Sequence, residues 1–216
     1  MVEIKGKTAT EVWKKILATI MKEGESFKDR RDRICKETLN ISATIQTMEG
    51  IIKPIETLNK FNKWVYPTPD QIKKSIIYKG ESSEYYYNYG KRAFFIDRVN
   101  QIDDYIIPLL KKNPTSKRGI VVFYSPKRDT LPLRKETPSV VMINFNVKNN
   151  KLNSTMVIRS NDMFHGWPGN IAQAYFLTEY VADELNYPIG SISTFSISAH
   201  IFEEQFEDIK KIIRHQ

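Results

Sequence analysis

The segment from Arg159 to His200 constrains the fold more than any other part of the chain. It begins with a polar cluster, Arg159 to Asp162, which closes an alternating strand and leads through Trp-Pro-Gly-Asn into a helix. The predicted helix, Asn170 to Leu185, is apolar nearly all round, which is typical of a helix buried inside a domain. A second strand, Ser191 to Ile201, follows and carries His200 near its end. Polar groups at both ends of this buried unit indicate a small-molecule site.

The N-terminal region carries a Thr-x-x-Glu capping box at Thr8 and Glu11, followed by apolar residues at helical spacing until Gly24. This pattern predicts an amphipathic helix that begins after Thr8 and ends before Gly24. Residues Leu39 to Ile45 alternate between apolar and polar types, which predicts a half-buried strand. Between Gln46 and Glu84, scattered prolines and weak periodicity predict only short helices and loops.

The middle of the chain adds further strands. Val140 to Val147 and Leu152 to Arg159 flank a Lys-Asn-Asn-Lys sequence, which is a strong signal for a β-hairpin. Gly119 to Tyr124 is an apolar run that predicts a buried strand. Val99 to Leu109 has helical spacing, and Pro108 is expected to distort the last turns of that helix.

An aromatic cluster lies within Tyr85 to Arg92 and is closed by Tyr89-Gly90, which predicts a turn. No repeat, low-complexity tract or shift in composition divides the chain. At 216 residues and 25.2 kDa, a single domain is the expected organisation. The sequence therefore predicts one α/β (α+β) domain over residues 1–216, with a large mixed sheet around a buried central helix.

The chain is basic, with a formal net charge of +8 and a pI near 9.4. Its lysines and arginines are scattered, and the densest group, Lys28 to Arg33, is interrupted by aspartates. A phosphate-bearing substrate accounts for a few of these cations, and a solvated surface accounts for the rest. We therefore do not expect a nucleic-acid partner; a nucleic-acid-binding protein would show a steep salt dependence of binding.

Other classes of protein are disfavoured by what the sequence contains. Its apolar runs are too short to span a bilayer, and its first residues do not form an apolar signal segment. The single cysteine, Cys35, has no internal disulfide partner and is expected to be a buried, inert thiol. The three histidines lie far apart, so we expect no metal site. A cytoplasmic protein without a membrane partner fits these features.

Seven short motifs occur in a fixed order: Tyr89-Gly90, Asn100 to Ile102, Asn113 to Arg118, Pro138, Arg159 to Asp162, Pro168 to Asn170, and Ala199 to Ile201. In this order and spacing they resemble the thymidylate synthase family, and most closely its short archaeal members. The resemblance extends to pyrimidine nucleotide hydroxymethylases of the same fold. It implies a homodimer formed by stacking large sheets, with cationic side chains donated across the interface.

The resemblance also implies the chemistry. Each site would bind a pyrimidine nucleoside monophosphate, with dUMP favoured, and a pterin, either 5,10-methylenetetrahydrofolate or 5,10-methylenetetrahydromethanopterin. In the family a cysteine thiolate attacks C6 of the pyrimidine, so that C5 takes up a one-carbon unit. Reduction then yields a methyl group, and hydration yields a hydroxymethyl group.

Several site residues follow from the resemblance. Arg159 would bind the phosphate beside the nucleophile, since a guanidinium fork suits a dianion. Ser160 would donate to the same phosphate. Asp162 would order contacts near the base, or form an Asx turn, and both roles can coexist. Tyr89 would belong to the substrate site, as would His200, which is expected to bind the sugar hydroxyl or else to be structural.

The remaining substrate contacts have stated alternatives. Asn170 would read the base and favours uracil, although an asparagine here also suits a helix N-cap. Lys117 and Arg118 would reach the phosphate of the partner subunit. Arg30 is the best match for a phosphate-binding arginine on a loop, with a solvated basic loop as the alternative. Where the family has a tyrosine after the histidine, this chain has Phe202.

The largest departure from the family is at the nucleophile. Family members have Pro-Cys where this chain has Pro138-Ser139, and a serine hydroxyl forms no comparable anion at neutral pH. Either the serine is a deliberate replacement, which its conservative nature favours, or the chain has lost or changed its chemistry. A catalytically inactive nucleotide-binding homologue is thus an alternative to an enzyme. The proton-relay carboxylate is also missing from its usual context, with Glu56 and Glu81 as candidates.

Overall fold

The computed structural model describes residues 1–61, 63–64, 66–79, 88–130 and 137–214. Its strands are β1 (Val2–Gly6), β2 (Glu25–Lys28), β3 (Ile34–Ile45), β4 (Ile120–Val122), β5 (Val140–Lys148), β6 (Lys151–Asp162) and β7 (Ile189–Phe202). They form one seven-stranded sheet with the order β1-β3-β7-β6-β5-β4, and β2 pairs with β3.

The helices accompany this sheet. They are α1 (Ala9–Glu23), α2 (Lys53–Leu58), α3 (Pro69–Ile76), α4 (Tyr89–Phe95), α5 (Ile107–Lys112), α6 (Pro126–Asp129), α7 (Gly166–Leu185) and α8 (Phe206–Arg214). A π-helical turn precedes α5, and a short 3-10 turn precedes α8. Within the described residues, no helix combines the length and apolar character needed to cross a bilayer.

The sheet is mixed, as predicted. β6 runs parallel to β7, and β1 runs parallel to β3, whereas the other pairs are antiparallel. The long helix α7 connects β6 to β7, so it must cross over the sheet to make their parallel pairing possible. Its side chains are buried around most of its circumference, which confirms the predicted buried central helix.

Two neighbouring rows of residues show how the core is placed. Directly paired residues on adjacent strands point to the same face of a sheet. One row is buried on all strands: Val121, Ile143, Met156, Thr194 and Ala43. The next row is half-buried or exposed: Val122, Met142, Val157, Phe195 and Ser42. The helices thus cover one face, and the other, which we call the outer face, presents a mostly apolar row.

Most predicted elements are confirmed. Thr8 caps α1 by accepting the N–H of Glu11 at 3.3 Å, and the helix ends before Gly24. The hairpin between β5 and β6 turns at Asn149 and Asn150, whose φ angles of 53° and 54° suit a tight two-residue turn. The strand predicted from Leu39 is longer and begins at Ile34.

Four predictions are corrected by the structure. The strand predicted from Gly119 to Tyr124 shortens to β4, an edge strand with only Val121 buried, because it covers the core on one face alone. Tyr89-Gly90 starts α4 rather than a turn, since the Asn88 side chain accepts the N–H of Lys91 and caps a helix there.

The other two corrections concern helix ends. The helix that includes Pro108 is distorted as predicted, but before that residue and not in its last turns: a π-helical turn, Ile102–Ile106, runs directly into α5. Asn170 is not an N-cap, because α7 already begins at Gly166. The earlier start follows from Asp162, which accepts the N–H groups of Phe164 and His165 and so orders the turn into the helix.

Candidate active site

Polar residues meet where β3, β7 and β6 lie side by side near the last residues of β6 and β7. Asp162 pairs with His200, and His200 pairs with Glu37 on the other side. Ser160 pairs with Ser198, two residues earlier on the same strands. Because directly paired residues share a face, these five side chains lie together, and we call them the three-strand cluster.

Asp162 closes β6 and organises the turn that follows. Its Oδ1 accepts the backbone N–H groups of Phe164 and His165, both at 3.0 Å. Its Oδ2 accepts from the amide of Gln205 at 2.9 Å, which links the end of β6 to the segment before α8. The Asx-turn interpretation is therefore correct, and a role at the base stays a prediction.

His200 lies between two carboxylates on neighbouring strands. Burial lowers its pKa below the ordinary value, although the charges of Asp162 and Glu37 oppose that shift. The shift favours the neutral imidazole, which has one nitrogen that can accept a hydrogen bond. It packs edge-on against Phe202, with ring centroids 5.2 Å apart.

The loop between β2 and β3 reaches the same end of the sheet. Desolvation opposes ionisation of Asp29, but hydrogen bonds from Arg33 and from the Arg31 backbone lower its pKa to about 2. The Arg33 guanidinium binds Asp29 and lies 3.8 Å from the centre of the Phe202 ring. Arg30 lies on this loop and is exposed; its approach to a phosphate stays a prediction.

Ser139 is half-exposed directly before β5, and Arg159 lies beside it. The Arg159 guanidinium donates to the carbonyls of Pro138 at 2.9 Å and Thr137 at 2.8 Å, the two residues that precede Ser139. The Arg159 backbone N–H also donates to the Ser139 carbonyl at 2.9 Å. A fixed positive charge therefore borders the position of the predicted nucleophile.

The side chain of Tyr89 also binds the backbone at the start of β5. Its hydroxyl accepts the backbone N–H groups of Ser139 and Val140, both at 3.1 Å. The backbone at the start of β5 is thus bonded to both an arginine and a tyrosine, which fixes the backbone position of Ser139. Direct contact of Tyr89 with a substrate stays a prediction.

Asn170 lies in the first turns of α7 and is oriented by a residue that the sequence did not single out. Its Nδ2 donates to Oδ1 of Asn161 at 3.1 Å, and Asn161 in turn donates to Ser196 at 3.0 Å. Asn161 is buried. A buried polar side chain with both ends bonded is well suited to hold Asn170 in one orientation.

Lys117 and Arg118 are exposed and are not brought near Ser139 within one chain. They precede β4, whose first residue, Ile120, pairs with Asn144. Since β4 is antiparallel to β5, the two cations lie beyond the far end of the pair, roughly 20 Å from Ser139 at the usual strand rise. Any contribution to a site at Ser139 must come from a second copy.

Aromatic side chains surround the turn between β6 and α7. The ring of His165 lies 4.8 Å from that of Tyr66 and 6.0 Å from that of Trp64, centroid to centroid. Burial raises the pKa of Tyr66, so its hydroxyl stays protonated. That hydroxyl occupies the space above Gly169, where a Cβ would lie only 2.0 Å away, which explains the glycine before Asn170.

The sequence also singled out a thiol, Cys35, and a carboxylate, Glu56, whose role as a proton relay stays a prediction. Cys35 is buried, and burial raises the pKa of its thiol, as expected for an inert cysteine. Glu56 is exposed on α2, and within the described residues its side chain makes no hydrogen bond or ion pair. Glu81 lies outside the described residues. In the part of the chain that the structure covers, no group of His, Cys, Asp or Glu side chains is arranged to hold a metal.

Comparison with known proteins identifies the family of the chain. The family model for thymidylate synthase matches residues 56–216. A "Putative thymidylate synthase" of Methanosarcina barkeri is 30% identical over 212 residues, covering 98% of this chain and 94% of the relative. One of the same description from Methanocaldococcus jannaschii is 28% identical over 219 residues, covering 98% and 96%.

A solved structure shows the same fold. Thermostable thymidylate synthase A from Bacillus subtilis superposes with a TM-score of 0.68 at 19% identity, covering 97% of this chain and 85% of that chain. The mixed sheet with its buried crossing helix is therefore shared with a protein of known fold.

Proposed function

The chain belongs to the thymidylate synthase family, and we propose that it binds dUMP and directs a one-carbon transfer to C5 of the uracil ring. The observation that carries this proposal is the guanidinium of Arg159, held on the two carbonyls before Ser139. A nucleotide phosphate bound at this cation would lie beside position 139, where the family has its nucleophile. Impaired chemistry is expected, because a serine hydroxyl is a poor nucleophile toward carbon.

The chain's own residues supply binding and orientation. Arg159 and Ser160 would hold the phosphate through charge-assisted hydrogen bonds. Asn170, oriented by Asn161, would pair with the uracil amide edge, since an amide both donates and accepts. His200 would bind the sugar hydroxyl, and Asp162 would order groups near the base. Arg30 would approach the phosphate from its loop.

A pterin fits the aromatic residues around the start of α7. Trp64, Tyr66 and His165 are half-buried and present ring faces and edges, which suit a flat heterocycle. When bound, 5,10-methylenetetrahydrofolate or 5,10-methylenetetrahydromethanopterin would supply the one-carbon unit. The protonated hydroxyl of Tyr66 is a hydrogen-bond donor beside this position.

We propose a homodimer through the outer face of the sheet. The exposed apolar side chains there include Ile197, 43% exposed, and Val122, 42% exposed, and burying them favours association. Association through this face would carry Lys117 and Arg118 of each subunit toward the phosphate site of the other. Such an arrangement accounts for their distance from Ser139 in a single chain.

The test is to replace Ser139 with cysteine and follow tritium release from C5 of labelled dUMP with each of the two pterins. The Ser139→Cys variant should release tritium at least about a thousandfold faster than the unchanged chain, as expected when a nucleophile is restored. Ser139→Ala, the matched control, should stay as slow as the unchanged chain. If the cysteine variant binds dUMP but releases no tritium with either pterin, the proposal of a one-carbon transfer is wrong.

The serine itself favours a second candidate, a catalytically inactive nucleotide-binding protein. That candidate predicts tight dUMP binding by the unchanged chain, with no release of tritium by either variant. The mass of the product separates the enzymatic alternatives, since a pyrimidine nucleotide hydroxymethylase adds a hydroxymethyl group instead of a methyl group.

A further inference from the structure

Glu37 is a charged residue in the three-strand cluster that neither the sequence patterns nor the family resemblance singled out. It lies on β3 directly opposite His200, and it is half-buried. The hydroxyl of Ser198, on the neighbouring strand, donates a hydrogen bond to one of its oxygens. A carboxylate offers about four lone-pair sites in total, so this bond leaves acceptor capacity unused.

Glu37 also lacks a cationic partner within the described part of the chain, although the protein as a whole carries a net charge of +8. The arginine nearest to it along the chain, Arg33 on the loop before β3, is bound to Asp29 and stacked on Phe202. Lys36, the preceding residue, donates to the carbonyl of Met21 at 2.6 Å. A half-buried carboxylate without an ion pair is costly, and a ligand that donates hydrogen bonds would offset that cost.

The place of Glu37 relative to the phosphate site indicates which part of a nucleotide it would meet. Ser160, the proposed phosphate donor, pairs with Ser198, and Ser198 bonds Glu37. Ser160 and Glu37 are therefore separated by two strand spacings of about 5 Å each and by one step of two residues, about 7 Å along the strands. A carboxylate would repel the phosphate dianion itself, so its partner must be an uncharged donor slightly farther along the nucleotide.

We propose that Glu37 accepts a hydrogen bond from the 3′-hydroxyl of the bound nucleotide, acting together with His200 as a sugar-binding pair. This inference rests on the proposed function, because it requires a nucleoside monophosphate at Ser160 and Arg159. It adds a specificity residue contributed by β3, on the far side of His200 from Asp162. Because Phe202 has no hydroxyl, it cannot hydrogen-bond the sugar at this end of the site. Glu37, on the adjacent strand β3, would supply a polar contact there.

The experiment compares dUMP with 2′,3′-dideoxyuridine 5′-monophosphate, which lacks the 3′-hydroxyl, by isothermal titration calorimetry. The unchanged protein should bind dUMP more tightly than the dideoxy nucleotide. In Glu37→Gln, which keeps the shape but removes the charge, the ratio of the two Kd values should fall about tenfold, since hydrogen bonds to charged groups exceed neutral ones. The matched control is Glu207→Gln, an exposed glutamate on α8 outside the cluster, which should leave the ratio unchanged.

Each outcome decides the inference. If Glu37→Gln raises the Kd values of both nucleotides by the same factor, or changes neither, Glu37 does not bind the 3′-hydroxyl. Nucleotide binding at the site, and with it the proposed function, would be unaffected by that result. If the unchanged protein binds neither nucleotide, the proposed function fails and this inference fails with it. Should Glu37→Gln not fold, Glu37→Asp keeps the charge but shortens its reach, and the same ratio should fall severalfold; an unaltered ratio overturns the inference.

Discussion

Two clusters of charged side chains in this molecule differ in how completely the protein satisfies them. Arg92 on α4 and Asp129 on α6 form a buried pair, with the side chains 7% and 0% exposed and N–O distances of 2.6 and 2.8 Å. Arg92 also donates to the carbonyl of Phe123, and Asp129 accepts the N–H of Ser125. The three-strand cluster, in contrast, is half-exposed and contains Glu37 without an ion-pair partner in the described residues.

The difference separates a structural role from a binding role. A buried ion pair whose hydrogen bonds are met by the protein has little capacity left for a ligand, and it ties α4 to the segment after β4. The same helix carries Tyr89, so the pair also supports the tyrosine that holds the start of β5. Half-exposed groups with unused acceptors are the ones available to a substrate.

The largest effect should come from breaking the buried pair. Asp129→Asn should lower the free energy of unfolding by about 3 to 5 kcal/mol, because it leaves the Arg92 guanidinium buried without its counter-charge. Urea unfolding followed by circular dichroism measures this change. Glu207→Gln, which breaks an exposed pair with Lys210, is the control and should have little effect. If Asp129→Asn and Glu207→Gln were equally stable, the buried pair would not have the structural role that distinguishes it from the three-strand cluster.

The next effect concerns binding rather than stability. Arg159→Met should raise the Kd for dUMP about a hundredfold, since it removes charge-assisted hydrogen bonds to the phosphate. Calorimetric titration measures the Kd, and urea unfolding should show a smaller loss than Asp129→Asn. Arg159→Lys should recover only part of the affinity, because an ammonium cannot form the forked contact. Full affinity in Arg159→Met would place the phosphate elsewhere.

Mixing of subunits tests whether a site is shared. Arg118→Ala and Arg159→Met should each bind dUMP poorly alone. If the phosphate is held by Arg159 of one chain and Arg118 of another, re-equilibrated mixtures contain heterodimers with one intact site, and about a quarter of all sites should recover. The stoichiometry of tight dUMP binding reports this fraction. No recovery after subunit exchange would mean that the two cations do not serve one site.

The smallest effect is the titration of His200. Burial lowers its pKa below 6.5, so as pH falls through that value the unfolded chain takes up the proton first and the free energy of unfolding decreases. Glu37→Gln should lower the pKa of His200 further, because the Glu37 charge raises it. Proton NMR titration, with the signal assigned from His200→Gln, measures both. A measured pKa above 6.5 would show that the carboxylates outweigh burial.

Elements with strong local signals were predictable from the sequence. The Thr8 capping box, the Asn149-Asn150 turn and the apolar surface of α7 each act over a few residues, and all three appear in the structure. Weak signals misled where a neighbour decided the outcome. Asn88 turned a predicted turn into a helix start, and Asp162 started α7 before Asn170.

The site was predictable in its residues more than in its geometry. The sequence indicated Arg159 and Ser139, and the structure brings them together. Glu37 and Asn161 carried no signal of their own, since a single polar residue in an alternating strand is ordinary. Their importance arises from partners on other elements. His200 lies opposite Glu37 on the adjacent strand, and Ser196 accepts the hydrogen bond of Asn161.

The sequence by itself determined the family, the buried helix with its flanking strands, and the serine in place of a thiol at position 139. Each of these can be recognised from short stretches of consecutive residues. Tertiary structure alone decided that Glu37 faces His200, that Tyr89 supports Ser139, and that Lys117 and Arg118 lie away from Ser139 in one chain. The physical reason is strand register. The alternation of apolar and polar residues fixes which face of the sheet each side chain takes. It does not specify which residue of a distant strand lies opposite, and that pairing is decided only when the segments pack together.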